Sequence, residues 1–224
     1  MPHTWSSAGG EVDPASPKVL IVWSPVTRTL VKVLVVNNYP TRERVETLER
    51  CVRGNGAEVV SADWSEASAM DFDSSDGVVL SGSPAMLTGA RTMSRFQHEV
   101  DAVLDSEVPV LGVCFGHQLL AQAFGGQVVR DGRHVLAMVK TTVLKEDPLF
   151  DWLPRSMMLM ESRYEVVKSL PDGFTLLARS ATSRIATMKH PTRLLYGVQF
   201  HPERFTKQHP EGSAVVGNFV RMLR

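Results

Sequence analysis

The hydrophobic pattern changes character near the middle of the chain. In the first half, short apolar runs alternate with segments of helical period: "VKVLVVN" (31–37), "AEVV" (57–60), "GVVL" (77–80) and "VPVLGV" (108–113). Runs of this kind lack polar alternation, so they read as strands buried on both faces, in a parallel sheet covered by helices. Val45, Leu48, Cys51 and Val52 recur at helical spacing after Thr41, a candidate cap, and the pattern stops at "GNG" (54–56). Ser94-Arg-Phe-Gln97 has the form of a capping box opening a helix to about Asp105. "GHQLLAQAF" (116–124) reads as a further helix, closed by Gly125-Gly126. Beyond residue 126 the text is strand-rich, with "GQVVRDG", "VKTTVL", "FTLLARS", "SRIATMKH" and "LLYGVQF" before a closing helix in "SAVVGNFVRML". The pattern predicts an α/β fold: an open, mostly parallel sheet with helices on both faces and a strand-rich second half.

The first thirty residues stand apart. "MPHTWSSAGGEVDPASP" (1–17) is rich in Pro, Gly and Ser, has no period, and reads as a disordered arm. "KVLIVW" (18–23) is a second strand-like run unusually close to residues 31–37. We read residues 1–30 as an N-terminal extension and 31–224 as the domain. On one account translation starts at Val31 from an alternative initiation codon, which the intact mass of the native protein would test.

Composition then narrows the classes of partner. Lys+Arg and Asp+Glu both number 24, giving a formal net charge of zero and no electrostatic reason to expect nucleic acid or an anionic membrane. The apolar runs are too short to span a bilayer, and the N-terminus lacks the pattern of a signal peptide. Two cysteines, Cys51 and Cys114, make no disulfide framework, and no Cys/His cluster has metal-ligand spacing. A reducing, cytoplasmic setting without a bound metal is the expectation.

Cys51 falls on a helix's apolar face and reads as core. Cys114 sits differently. Gly112-Val113-Cys114-Phe115-Gly116 has the form G-x-C-x-G at the junction of a strand and a helix. A nucleophile elbow needs this arrangement, a tight turn with small neighbours that presents the sulfur at the carboxyl edge of a sheet. The sulfur would also lie at a helix N-terminus, where the dipole favours thiolate, with the Phe115 N–H placed to bind an oxyanion. "LYGVQFHPERF" (195–205) supplies a strand ending in His201-Pro202-Glu203, a base with a carboxylate positioned to orient it. "LSGSP" (80–84) ends another strand, and the Ser83 N–H is the expected second oxyanion donor. Alone, each motif has an ordinary reading, as core cysteine or surface turn; expected together at one sheet edge, they point to a Cys-His-Glu nucleophilic site with an oxyanion hole. His117 reads as a structural hydrogen-bonding residue, and the remaining histidines as surface or satisfied groups.

At this point the residues resemble a known family. "VLGVCFGHQLLAQAFGG" with "YGVQFHPE" is similar to the class I (triad) glutamine amidotransferases, and "LSGSP" resembles that family's Ser-Gly-Gly-Pro oxyanion strand. Within the family the likeness points to the glutaminase part of GMP synthetase, through "LKEDPLFDWLP", "SLPDGFTLLARSATSRIATMKH" and "GNFVRML". The resemblance implies a flavodoxin-like amidotransferase fold, Cys114 as nucleophile, His201 as base and then acid, and Glu203 as orienting carboxylate. It also implies Gln118 and Gly82 as contacts to glutamine and no cofactor. The implied reaction releases ammonia and forms a γ-glutamyl thioester that water hydrolyses. No Ser-Gly-Gly-x-Asp-Ser loop occurs in the chain, so the implied partner is a separate ammonia-accepting synthase subunit of the ATP pyrophosphatase type.

Two departures bear on substrate. Ser83 replaces the second glycine of the oxyanion motif, and Ser162-Arg163-Tyr164-Glu165 stands where GMP synthetases usually carry Ser-His-x-Asp. The altered segment keeps a γ-glutamyl peptidase or amide hydrolase in view as an alternative, with a non-catalytic binding module behind both.

Overall fold

In the computed structural model, residues 30–224 are described; the readings made for residues 1–29 lie outside them. One nine-stranded sheet organises the chain, in the order β2-β1-β3-β4-β9-β8-β7-β5-β6. Its parallel half comprises β1 (Val31–Asn37), β2 (Ala57–Asp63), β3 (Gly77–Leu80), β4 (Val110–Val113) and β9 (Leu195–Val198). The connecting helices are α1 (Glu46–Gly54), α2 (Ala69–Asp73), α3 (Thr92–Arg95), α4 (Gln97–Asp105) and α5 (Phe115–Ala123), and α6 (Glu211–Met222) closes the chain.

Strand alternation divides the core in two. Val33 and Val35 of β1 join Val79, Leu111 and Val113 on the face covered by α1 and α6. Leu34 and Val36 join Val78, Leu80 and Val110 on the other face, with Ala102 of α4 and Leu120 of α5. Both faces of the parallel strands are therefore dry, which is why their sequences show no polar alternation. The helical phase predicted for α1 is the one observed, with Val45, Leu48, Cys51 and Val52 all buried.

The second half joins the same sheet through hairpins rather than helices. β5 (Gln127–Val143), β6 (Ser156–Ser169), β7 (Thr175–Ser180) and β8 (Thr187–Lys189) are all antiparallel to their neighbours. Four ladders are parallel and four antiparallel, so the parallel share is smaller than the α/β alternation suggested. The two strands read at "GQVVRDG" and "VKTTVL" are one strand, β5, whose pairing with β6 slips between Arg130 and Val135. β6 itself was not legible, because its buried face carries Glu161, Arg163 and Glu165 among apolar residues.

Two caps predicted from sequence do not form. Ser94 bonds back to Arg91 O, and the segment breaks into α3 and α4 instead of opening one capped helix. Thr41 precedes a short 3-10 turn and makes no side-chain cap. Among the described residues no helix is long and apolar enough to cross a membrane.

The register decides where the chemistry goes. Leu80 pairs with Gly112, and Gly112 with Gly197, so β3, β4 and β9 end level with one another. The residues that follow each strand, Ser81-Gly82-Ser83, Cys114, and Gln199-Phe200-His201, therefore emerge together at the carboxyl edge.

Candidate active site

Cys114 occupies a strained backbone position, φ 52° and ψ −97°, as the residue before α5. Such a conformation in a non-glycine residue costs on the order of 1–3 kcal/mol and persists only where the surroundings enforce it. Here they do. The Cys114 N–H is held by Val198 O at 2.8 Å, and Cys114 O accepts the first α5 bond from the Gln118 N–H at 3.1 Å. The flanking glycines are steric necessities: a Cβ on Gly112 would lie 2.7 Å from the Gly116 backbone, and one on Gly116 would lie 2.7 Å from Leu80 O. The Phe115 N–H opens the helix without an intrahelical partner, while its ring packs against Phe96 at 4.7 Å in the core.

His201 follows β9, and its ring lies between two groups. Nδ1 is 2.8 Å from Glu203 Oε1, both side chains being buried, while Nε2 faces the Cys114 side, 3.4 Å from Ser162 O. Cys114 Sγ lies 3.6 Å from the same carbonyl. Burial opposes a charge on the ring, but the Glu203 carboxylate and the Cys114 sulfur outweigh it and push His201 up to about 10. Glu203 moves the other way: burial works against ionisation, and the imidazolium overcomes that and holds the carboxyl below its usual range. Both partners therefore favour the imidazolium form of His201.

A cavity of about 250 Å³ opens over these groups, lined by Cys114 and His201 together with Ser83, Gln118, Tyr164 and Tyr39. Ser83 keeps a negative φ, so the serine in place of glycine imposes no left-handed strain on the oxyanion loop. That loop is pinned on both sides. Ser81 Oγ accepts from the Asn38 N–H at 2.8 Å, and Glu165 accepts from the Leu87 N–H at 2.7 Å and the Thr88 N–H at 3.0 Å. Gly82 is not among the residues that line the cavity, but it abuts two that are: a Cβ there would lie 2.6 Å from the Tyr39 hydroxyl and 2.9 Å from His201 Cε1. Gly82→Ala is therefore expected to displace the ring and lower the turnover of any substrate attacked by Cys114 by about 10²-fold with KM little changed, as measured by steady-state kinetics.

Gln118 lines the cavity, but its Nε2 is engaged by Glu165 O at 2.8 Å and by Gln199 Oε1 at 3.2 Å. Gln199 in turn points Nε2 at Cys114 Sγ, 3.8 Å away. Gln199 and Tyr39 join the site outside the residues expected from sequence. Gln199 carries a local signal in its place in "YGVQFHPE", two residues before His201, and the Tyr39 phenol is held protonated by burial and the Glu203 charge. His117 is the buried structural group expected, with Nε2 3.1 Å from Ile185 O and its pKa pushed down to about 3 by burial. His134, read as surface or satisfied, is exposed, and its ring stacks on Tyr164 at 4.4 Å at the lining of the cavity.

Arg163, the departure that raised a different substrate, is committed elsewhere. Its guanidinium donates to Glu161 at 2.9 Å, to Asp131 at 3.1 Å and to Thr182 O. The arginine neutralises a buried carboxylate with three of its five N–H donors engaged, while the residue also contributes to the cavity lining.

The family model for class-I glutamine amidotransferases matches residues 34–223, and the chain belongs to that family. Among curated relatives, a subunit of the glutamine-hydrolyzing GMP synthase of Archaeoglobus fulgidus is 31% identical over 194 residues, covering 87% of this chain and all of the relative. The protein of the same name from Pyrococcus abyssi is 39% identical over 146 residues, 65% of this chain and 74% of the relative. Of solved structures, a Thermoplasma acidophilum protein assigned as a GMP synthase subunit superposes with a TM-score of 0.72 at 29% identity, covering 87% of this chain and 94% of its own. A glutamine amidotransferase from Thermotoga maritima shares the fold, with a TM-score of 0.63 at 20% identity over 78% of this chain and 77% of its own.

Proposed function

We propose that the chain hydrolyses the side-chain amide of glutamine through Cys114, His201 and Glu203 and hands the ammonia to a separate synthase subunit. One observation carries the reading: a cysteine forced into an elbow at the sheet edge shares a cavity with a histidine that a buried carboxylate orients from 2.8 Å.

The sulfur attacks the amide carbon, and the carbonyl oxygen takes up the negative charge. The N–H groups of Phe115 and Ser83 are the proposed donors to that oxygen. As the C–N bond breaks, His201 gives its proton to the departing nitrogen, so neutral ammonia leaves and a γ-glutamyl thioester remains on Cys114. The ring, now neutral, takes a proton from water as the water oxygen attacks the thioester, and glutamate departs. Glu203 keeps the ring in one orientation throughout and stabilises its charged form. No step calls for a cofactor. An ammonia-accepting partner of the ATP pyrophosphatase type is supported by the relatives' designation as one subunit of a glutamine-hydrolysing GMP synthase.

The substrate reading is tested by assaying glutamine and a γ-glutamyl dipeptide side by side, with and without the synthase subunit from the same organism. Glutamine is expected to be preferred by at least about tenfold in kcat/KM, a ratio within reach of one lost contact. Cleavage of the dipeptide with glutamine inert in both settings would establish the peptidase instead.

A further inference from the structure

The oxyanion loop is tied to a buried carboxyl that the chemistry above does not use. Glu99, on α4, is fully buried, and its Oε1 accepts from Asn38 Nδ2 at 3.1 Å. The same amide nitrogen donates to Ser81 O at 3.2 Å, while the Asn38 N–H donates to Ser81 Oγ and that hydroxyl donates to Gly82 O at 3.0 Å. Two atoms in this cluster are buried with no partner among the described residues: Glu99 Oε2 and Asn38 Oδ1. Both are acceptors if the carboxyl is ionised, and a buried acceptor without a donor is costly. They belong to the two groups already joined by the Nδ2–Oε1 bond. A single proton on Oε2 would supply the missing donor and close a cyclic acid–amide pair.

We propose that Glu99 is a protonated positioning residue, whose carboxylic acid pairs with the Asn38 amide and thereby fixes Ser81-Gly82-Ser83 for oxyanion binding. The proposal rests on the reading that this loop supplies an oxyanion donor. The electrostatic surroundings fit a neutral acid. Burial pushes Glu99 up to about 8, and the one opposing influence is the Asn38 hydrogen bond. The charged and titratable groups of neighbouring elements are engaged elsewhere. Asp73 of α2 accepts from Ser106, Arg95 of α3 lies over Trp64, and His117 of α5 is neutral and bonded to Ile185 O. Asp63 of β2 accepts from Asn37, Arg193 caps Val103 O and Ser106 O beyond the helix, and His98 and Asp101 are on the exposed face of α4. With no cation among the described residues paired to the carboxyl, the neutral acid solves the hydrogen-bond accounting.

The consequence is a pH limit set outside the catalytic triad. Above about 8 the carboxyl loses its proton, the Oε2–Oδ1 side of the pair opens, and the oxyanion loop loses one of its anchors. The sign for stability follows separately. Between the ordinary glutamate range and about 8 the folded chain holds a proton that the unfolded chain has lost, so stability declines with rising pH there and levels off above it.

Glu99→Gln tests this, because the amide reproduces the neutral acid's donor and acceptor but does not titrate. Wild-type kcat for glutamine is expected to fall about tenfold between pH 7 and 9, the fall of a group titrating near 8, and Glu99→Gln to lack that fall. Glu99→Leu is expected to lower kcat at pH 7, with Glu99→Gln restoring it. A readout independent of turnover comes from infrared difference spectra of the whole chain. A carboxylic-acid carbonyl band should be present at pH 7, disappear through about pH 8 and be missing in Glu99→Gln. Absence of the band at pH 7 would overturn the protonated pair. A titrating band with superposed wild-type and Glu99→Gln rate profiles would overturn the positioning role and place the fault in the oxyanion assignment.

Discussion

Replacing Cys114 with serine should reduce glutamate release from glutamine by about 10⁴–10⁶-fold, the loss that follows removal of a catalytic nucleophile. Serine nearly matches cysteine in volume, and Cys114 is only 4% exposed, so the cavity and the fold should persist. The elbow geometry is imposed by Gly112, Gly116 and the bond to Val198 O rather than by the sulfur itself. A thermal midpoint close to wild type, alongside the lost rate, would separate a chemical effect from unfolding. Cys51 is the internal control. It is buried on α1 with its thiol pushed up to about 11 by burial, so Cys51→Ser should leave the rate near wild type.

Glu203→Gln is the second large effect, expected to lower kcat by about 10²–10⁴-fold with little change in KM. Glutamine can still accept from Nδ1 but carries no charge. The Glu203 carboxylate is the largest influence holding His201 near 10, so the variant's ring should titrate much closer to the ordinary histidine range. At neutral pH a larger share of the rings would then lack the proton that the departing nitrogen needs, so the rate should recover partly as pH is lowered. Stability carries the same signature. A histidine raised in the folded state contributes stability that is complete below about 6.5 and is lost as pH rises toward 10. Wild type should lose that contribution over this window, and Glu203→Gln should lose much less; thermal denaturation at pH 6.5 and pH 9.5 compares them.

The elements that carry the sharpest local signals were also the most legible. The β1, β3, β4 and β9 runs could be read because both faces are dry, and α1 because its apolar stripe follows the helical period. Cys114 and His201-Pro202-Glu203 could be read because each motif marks a strand end and their chemistry is complementary. What stayed hidden depends on partners distant in sequence. β6 did not read as a strand because Glu161 and Arg163 neutralise each other within the core, a pairing with no local pattern. Glu165 both lines the cavity and anchors the loop at Leu87 and Thr88, 78 and 77 positions away, a tie with no local pattern. Glu99 lies 61 positions from Asn38 and had no reason to stand out in an amphipathic helix. The capping box at Ser94 failed for the opposite cause: a good local signal was overridden where the segment turns to pack Phe96 between Trp64 and Phe115.

The central claim is that glutamine turnover passes through a covalent adduct on Cys114. Quenching the chain in acid during turnover and mapping it by peptide mass spectrometry tests this most directly. The predicted result is a γ-glutamyl group on the peptide containing Cys114, absent from the peptide containing Cys51 and lost with time as glutamate appears. Glutamate production at the wild-type rate by Cys114→Ser, with no adduct at any quench time in wild type, would contradict it.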